Sequence, residues 1–242
     1  MKILAFETSG LLGSVALLET VDGKLVSTIE RETPSDQRTA RSLLPTTQAL
    51  LQENGWRPAD VELVAVTTGP GSFTGLRIGV VAAKTFAYAV GAKLVGVHTL
   101  AVLAWPIGAS RVWTILDAQR QELFVAHFPA DASIDFRLEP TTSIMAIDDW
   151  LRQLQSNDVV TGPPLQKLRP LLPAGVAVAP EEAWHPSAAT VGQLGLMKFN
   201  RGASISPLEL VPDYFRKSAA EEKADAARLQ PPAPPWGRLP CR

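Results

Sequence analysis

The chain has 242 residues, 46% hydrophobic and 19% charged, with a net charge of −1. That is enough chain for one large or two modest cores, and the charge excludes a strongly basic, self-sufficient nucleic-acid binder. The one cysteine, Cys241, excludes a disulfide framework and a cysteine metal site, and no run approaches the roughly 18 uninterrupted apolar residues of a membrane span, so a cytoplasmic protein is expected.

Residues 2–7 read as a first strand, Gly10-Leu-Leu-Gly13 as a turn, and 14–20 as a second strand. Asp22-Gly23 is a hairpin signal leading into a third strand over 24–30. Thr33-Pro-Ser-Asp36 reads as a helix start, with Leu43, Leu44, Thr47, Leu50 and Leu51 at helical spacing until Asn54-Gly55. Pro45 inside that pattern predicts a kink or a late start.

A buried strand over 61–66 is broken by Gly69-Pro-Gly71, and a helix capped by Ser72 or Thr74 runs to about Val90. Its four-residue register Gly75, Gly79, Ala83, Ala87, Gly91 leaves one side with small residues only. Glycine costs about 0.5 to 1 kcal/mol in a helix, so close backbone approach is the reason to expect, by an element of the same domain or by a second subunit. A strand over 93–97 completes a βββαβαβ order, a mixed sheet with helices on it.

A second unit starts near Pro106. Strands are expected over 111–117, 121–128 and 134–138, a helix over 144–154, a short strand at 159–160, and a helix from Ser187 to about Phe199. The hairpin-then-βα pattern in both halves hints at two similar lobes. Charges over 219–225 read as a solvated helical face, and the proline density beyond Gln230 predicts disorder. Tyr214 and Phe215 are expected to dock the C-terminal segment onto a lobe.

The glycine-rich turn invites a phosphate site, but its glycine spacing and Leu76-Arg77 miss the Lys-Ser/Thr of a P-loop. Glu7, at a strand end before Thr8 and Ser9, lacks a second carboxylate placed by sequence. His98, His127 and His185 are isolated from one another, as packed or surface histidines rather than ligands. The scattered tryptophans suggest packing.

Together, Met1-Lys-Ile-Leu-Ala-Phe-Glu-Thr-Ser9, Gly69-Pro-Gly-Ser-Phe-Thr-Gly-Leu-Arg-Ile-Gly79, Gly96-Val-His-Thr-Leu100 and Pro212-Asp-Tyr-Phe-Arg216 resemble the TsaB, or YeaZ, family up to about residue 217. The resemblance implies an α/β fold of the actin, sugar-kinase and Hsp70-ATPase (RNase H-like) type. It implies an N-terminal lobe over 1–105, a C-terminal lobe over 106–217 whose end can pack back on the first, and a tail over 218–242. It also implies a non-enzymatic subunit that binds the transferase TsaD and, with the ATPase TsaE, serves threonylcarbamoyl transfer to adenosine 37 of tRNAs reading ANN codons.

On that resemblance no cofactor or metal is expected, tRNA is reached only through the complex, and the chain forms a homodimer when alone. Thr99 and Leu103 stand where the catalytic relative has its His-x-x-x-His metal pair. Glu7 replaces the more usual Asp, and Thr39 stands where some relatives have His. Helices at about 36–54 and 74–90 form the family's partner surface, which places Leu43, Thr47, Phe73, Gly75, Gly79, Ala83 and Ala87 at the interface and favours inter-subunit use of the small stripe. A small-molecule kinase or ATPase of the same superfamily is the alternative.

Overall fold

In a computed structural model, residues 1–34, 39–108 and 111–216 are described. The first sheet is built from β1 (Lys2–Glu7), β2 (Ser14–Val21), β3 (Lys24–Glu32), β4 (Leu63–Gly69) and β5 (Lys93–His98). Its order is β3-β2-β1-β4-β5, antiparallel across β1, β2 and β3 and parallel across β1, β4 and β5. Asp22 and Gly23 both take left-handed backbone, at φ 52° and 75°, which matches a tight two-residue hairpin to the strand twist.

Helices α1 (Thr39–Glu53) and α2 (Phe73–Val90) cover one face of this sheet. The expected start of α1 at 33–36 runs into residues outside those described, and the helix continues through Pro45. Ser72 caps α2 by accepting from the Gly75 N–H at 3.2 Å, and Gly91, left-handed at φ 73°, ends it. By length and composition α2 is apolar enough to cross a membrane, but here its small-residue side is buried on the sheet.

The second sheet contains β6 (Val112–Asp117), β7 (Glu122–Phe128), β8 (Ser143–Ala146), β9 (Val159–Thr161) and β10 (Ala177–Val178), in the order β10-β9-β6-β7-β8. Read from β8, each strand holds the place of its counterpart in the first sheet, so the two lobes share one topology. The helices are α3 (Thr99–Ala104), α4 (Ile134–Leu138), α5 (Ile147–Gln153), α6 (Leu165–Leu168) and α7 (Ala188–Asn200).

Two expectations fail in this half. Residues 134–138 form a helix rather than a strand, because the Ser133 hydroxyl accepts from the Phe136 N–H at 3.2 Å and caps it. The helix expected over 144–154 begins only at Ile147, because 143–146 pair with β7, Glu122 opposite Ala146. A short apolar run fits either period, and tertiary pairing decides. The charged segment and the proline-rich tail lie outside the described residues.

The remaining helices cross over. Short α3 follows the first sheet, yet its Leu100, Leu103 and Ala104 pack with Val112, Phe124 and Phe128 of the second. In return α7, which follows the second sheet, buries Ala188, Val191 and Leu194 on the Ile3, Ala5 and Ala65 face of the first. Helices α5 and α6 cover the second sheet's other face through Trp150, Leu154 and Leu165.

Candidate partner interface

Strands β1 and β4 end side by side, and the turn after β1 sits under the start of α2. Glu7 is 1% exposed. Its Oε1 accepts from the Ser9 N–H and the Ser9 hydroxyl, both at 2.5 Å, while Oε2 is buried without a partner among the described residues. Burial pushes the Glu7 carboxyl above its ordinary pKa, and the Ser9 hydrogen bonds oppose this in part.

The Ser72 N–H donates to the Ser9 carbonyl at 2.7 Å, so this donor near the start of α2 is already engaged. A Cβ on Gly71 would lie 2.6 Å from Ser9 Cβ. On Gly75 it would overlap the Thr8 carbonyl oxygen, and on Gly79 the Thr8 hydroxyl. At Gly75 and Gly79 the stripe is therefore filled by the chain's own β1–β2 turn, and an anion at the glycine turn would find Thr8 and Ser9 in its place.

Leu43, Thr47, Gly75, Gly79, Ala83 and Ala87 are all buried within the chain. The side chains of Leu43, Ala83 and Ala87 pack in the chain's own core. Phe73 is half-buried, its ring 4.7 Å from that of Tyr214.

The same two helices present other residues outward: Leu44 at 58% exposure, Val81 at 61% and Tyr88 at 73%, with Arg77 and Thr85 also exposed on α2. The signal was available. Positions 74, 77, 81, 85 and 88 trace a helical stripe as regular as the small-residue one, on the other side.

A strap over 203–216 crosses from one lobe to the other. Ile205 bridges to Leu94, and Lys84 Nζ donates to the Leu208 and Leu210 carbonyls at 3.4 and 2.8 Å. The Asp213 N–H donates to the Thr68 carbonyl at 2.8 Å, and the Thr68 hydroxyl donates to Asp213 Oδ2 at 2.7 Å. Phe215 then packs edge-on to His98 and Phe124, and Arg216 donates to the Ala118 carbonyl and the Glu122 carboxylate. Tyr214 and Phe215 do dock the C-terminal segment, as expected, and they do so at both lobes.

His98 closes β5 as a packed histidine. Its Nδ1 accepts from the Leu100 N–H at 3.2 Å, capping α3, which leaves the proton on Nε2 to face the Thr142 hydroxyl at 2.8 Å. Burial first, and the Lys198 charge second, hold its pKa down at about 3. Thr99 and Leu103 are 0% and 1% exposed in α3. Among the described residues no group of three or more His, Cys, Asp or Glu could hold a metal ion.

Residues 34–148 match the family described as "TsaD: tRNA N6-adenosine threonylcarbamoyltransferase". The chain is 28% identical over 231 residues to the tRNA threonylcarbamoyladenosine biosynthesis protein TsaB of Escherichia coli, covering 92% of this chain and 98% of that one. It is 27% identical over 237 residues to the Bacillus subtilis protein of the same name, covering 92% and 97%. Among solved structures, YeaZ from Pseudomonas aeruginosa matches with a TM-score of 0.69 at 23% identity, over 88% of this chain and 99% of that chain, which shows the fold. With its two lobes of one topology and near end-to-end matches to two TsaB proteins, the chain is similar over almost its whole described length to the TsaB (YeaZ) proteins.

Proposed function

We propose that this chain serves tRNA threonylcarbamoyladenosine biosynthesis as a non-catalytic subunit that docks a TsaD-like transferase on the outward sides of α1 and α2. The observation that carries the reading is the exposed apolar set Leu44, Val81 and Tyr88 on two helices whose other sides are fully committed to the core. Val81 and Tyr88 lie two turns apart on one side of α2, and clustered exposed apolar groups mark interaction sites more often than idle surface. The non-catalytic part is supported by the filled turn at Thr8 and Ser9, and by Thr99 and Leu103, whose side chains are poor metal ligands.

The partner is a homologous fold, so the same face can pair two copies of this chain when the transferase is absent. A TsaE-like ATPase joins the assembled pair, and tRNA, with adenosine 37 as the acceptor, is met through the complex. The deciding experiment is reconstitution with the TsaD-like and TsaE-like proteins of the same genome. Threonylcarbamoyl transfer should require the full chain and disappear with Val81→Asp, whereas the isolated chain should not turn over ATP. Turnover by the chain alone would instead support a kinase or ATPase, the reading that the fold and Glu7-Thr8-Ser9 favour.

A further inference from the structure

The outward sides of α1 and α2 carry apolar groups, but they are not neutral. Helix α2 contains no Asp or Glu, and α1 has only Glu53, whose Oε2 is 2.5 Å from Arg31 Nη2 on β3. Of the cations, Lys84 spends its ammonium on the Leu208 and Leu210 carbonyls. Arg41 and Arg77 are left, both exposed and neither facing a carboxylate among the described residues.

Arg77 is held in place. Its Cζ lies 4.0 Å from the centroid of the Phe73 ring, one turn earlier on α2, and 5.8 Å from that of Tyr214 on the strap. Its Nε–H donates to the Tyr214 hydroxyl at 2.9 Å. The plane and direction of the guanidinium are thus set by two rings and one hydrogen bond, while both Nη groups make no hydrogen bond among the described residues. An arginine normally loses much rotamer freedom on forming a contact, and here most of that ordering has already occurred.

From this geometry we infer that Arg77 is a preoriented receptor for a carboxylate, an Asp or Glu side chain of the protein that docks on α1 and α2. The inference rests on the docking face proposed above and names the chemistry the partner brings to it. A planar fork with two free Nη groups matches a carboxylate with two parallel hydrogen bonds. Apolar Val81 and Phe73 on either side in sequence lower the local dielectric and strengthen the pair. Two arginines, with Lys84 turned to the strap carbonyls, are too few for a nucleic-acid surface, which needs several phosphates neutralised together.

The test measures affinity of the full-length chain for the TsaD-like protein of the same genome, at low and high salt, with Tm measured on each variant. Arg77→Glu should weaken binding roughly thirtyfold, and Arg77→Lys, which keeps the charge and loses the fork, roughly threefold. Changing the cognate Asp or Glu of the partner to Arg should rescue Arg77→Glu. Tyr214→Phe should stay within about twofold, since the Phe73 ring still holds the guanidinium at 4.0 Å. If Arg77→Glu lowers Tm, Arg77→Met carries the comparison, and equal affinity of the Met and wild-type chains overturns the inference. Unchanged affinity in Arg77→Glu beside a loss in Val81→Asp would refute the carboxylate receptor and keep the docking face; no loss in either refutes the face itself. Weaker tRNA binding by an otherwise intact complex would assign Arg77 to a phosphate and overturn the inference.

Discussion

The two sheets hang their strands in one order, yet what lies over them is unlike. In the first, an 18-residue helix, α2, joins β4 to β5. In the second, α6 has four residues, followed by a three-residue 3-10 turn, between β9 and a β10 of two residues. The turns differ as well. After β1 the chain tucks Thr8 and Ser9 beneath α2, whereas after β6 the residues Gln119, Arg120 and Gln121 all take left-handed backbone, at φ 64°, 57° and 61°. One topology thus supports a lobe with a long, closely seated helix pair and a lobe cut back to a brace, and the docking face proposed above goes with the former.

The comparison can be broken hardest at the seat of α2. Gly75→Val drives a side chain into the Thr8 backbone, which cannot move without opening β1, and should destabilise the fold by about 3 kcal/mol or more in denaturant titrations. Gln166→Val on α6, an exposed position, should stay within about 0.5 kcal/mol. Gly79→Trp should likewise fail through the fold rather than through lost partner contact.

Acid separates the lobes next. His98 has a folded pKa near 3 against an ordinary 6.5, so its stabilising effect is complete above pH 6.5 and is lost as pH falls toward 3. That is at most on the order of 4 to 5 kcal/mol for the single group. His98→Asn, which can still cap α3, should flatten this limb of the stability curve. The partly exposed His127, also lowered by burial but opposed by Asp158, should leave the limb nearly unchanged when replaced by Asn.

On the surface, Val81→Asp should weaken transferase binding by roughly tenfold or more with Tm preserved, while Leu171→Asp, 57% exposed on the second lobe, should do nothing to it. Glu7→Gln addresses the buried carboxyl. Because its folded pKa is raised, the wild type holds that stability below the unfolded pKa and loses it as pH rises through the folded one. The variant should be the more stable chain at alkaline pH, with the two curves converging in acid. The smallest effect is opposite in sign to that at Gly75: Gln121→Gly relieves a left-handed residue and should gain about 0.5 kcal/mol.

Much of this was legible beforehand. The Asp22-Gly23 hairpin, the Ser72 cap, the βββαβαβ order and the repeated lobe pattern all rest on local signals that survive folding. The glycine and alanine stripe of α2 was legible too, but periodicity reveals a narrow side without saying what fills it. At Gly75 and Gly79 it is filled by Thr8, a residue 67 positions before Gly75, and no local signal carries that. The outward residues Val81 and Tyr88 were hidden for the same reason: a helix with apolar groups on two sides does not announce which side is core. In the second lobe, strand and helix were exchanged at 134–138 and 143–146, where four or five residues are too few for a period to show.

The exchange of α3 and α7 has a consequence for the chain as an object. Each sheet is roofed on one face by a helix that belongs, in sequence, to the other half. A cut in the connector near residue 108 would leave two pieces that each expose a bare apolar sheet face, Ile3, Ala5 and Ala65 on one and Val112, Phe124 and Phe128 on the other. Mixed together, the pieces can roof one another again, so the protein is suited to fragment complementation, and each half is the other's missing part.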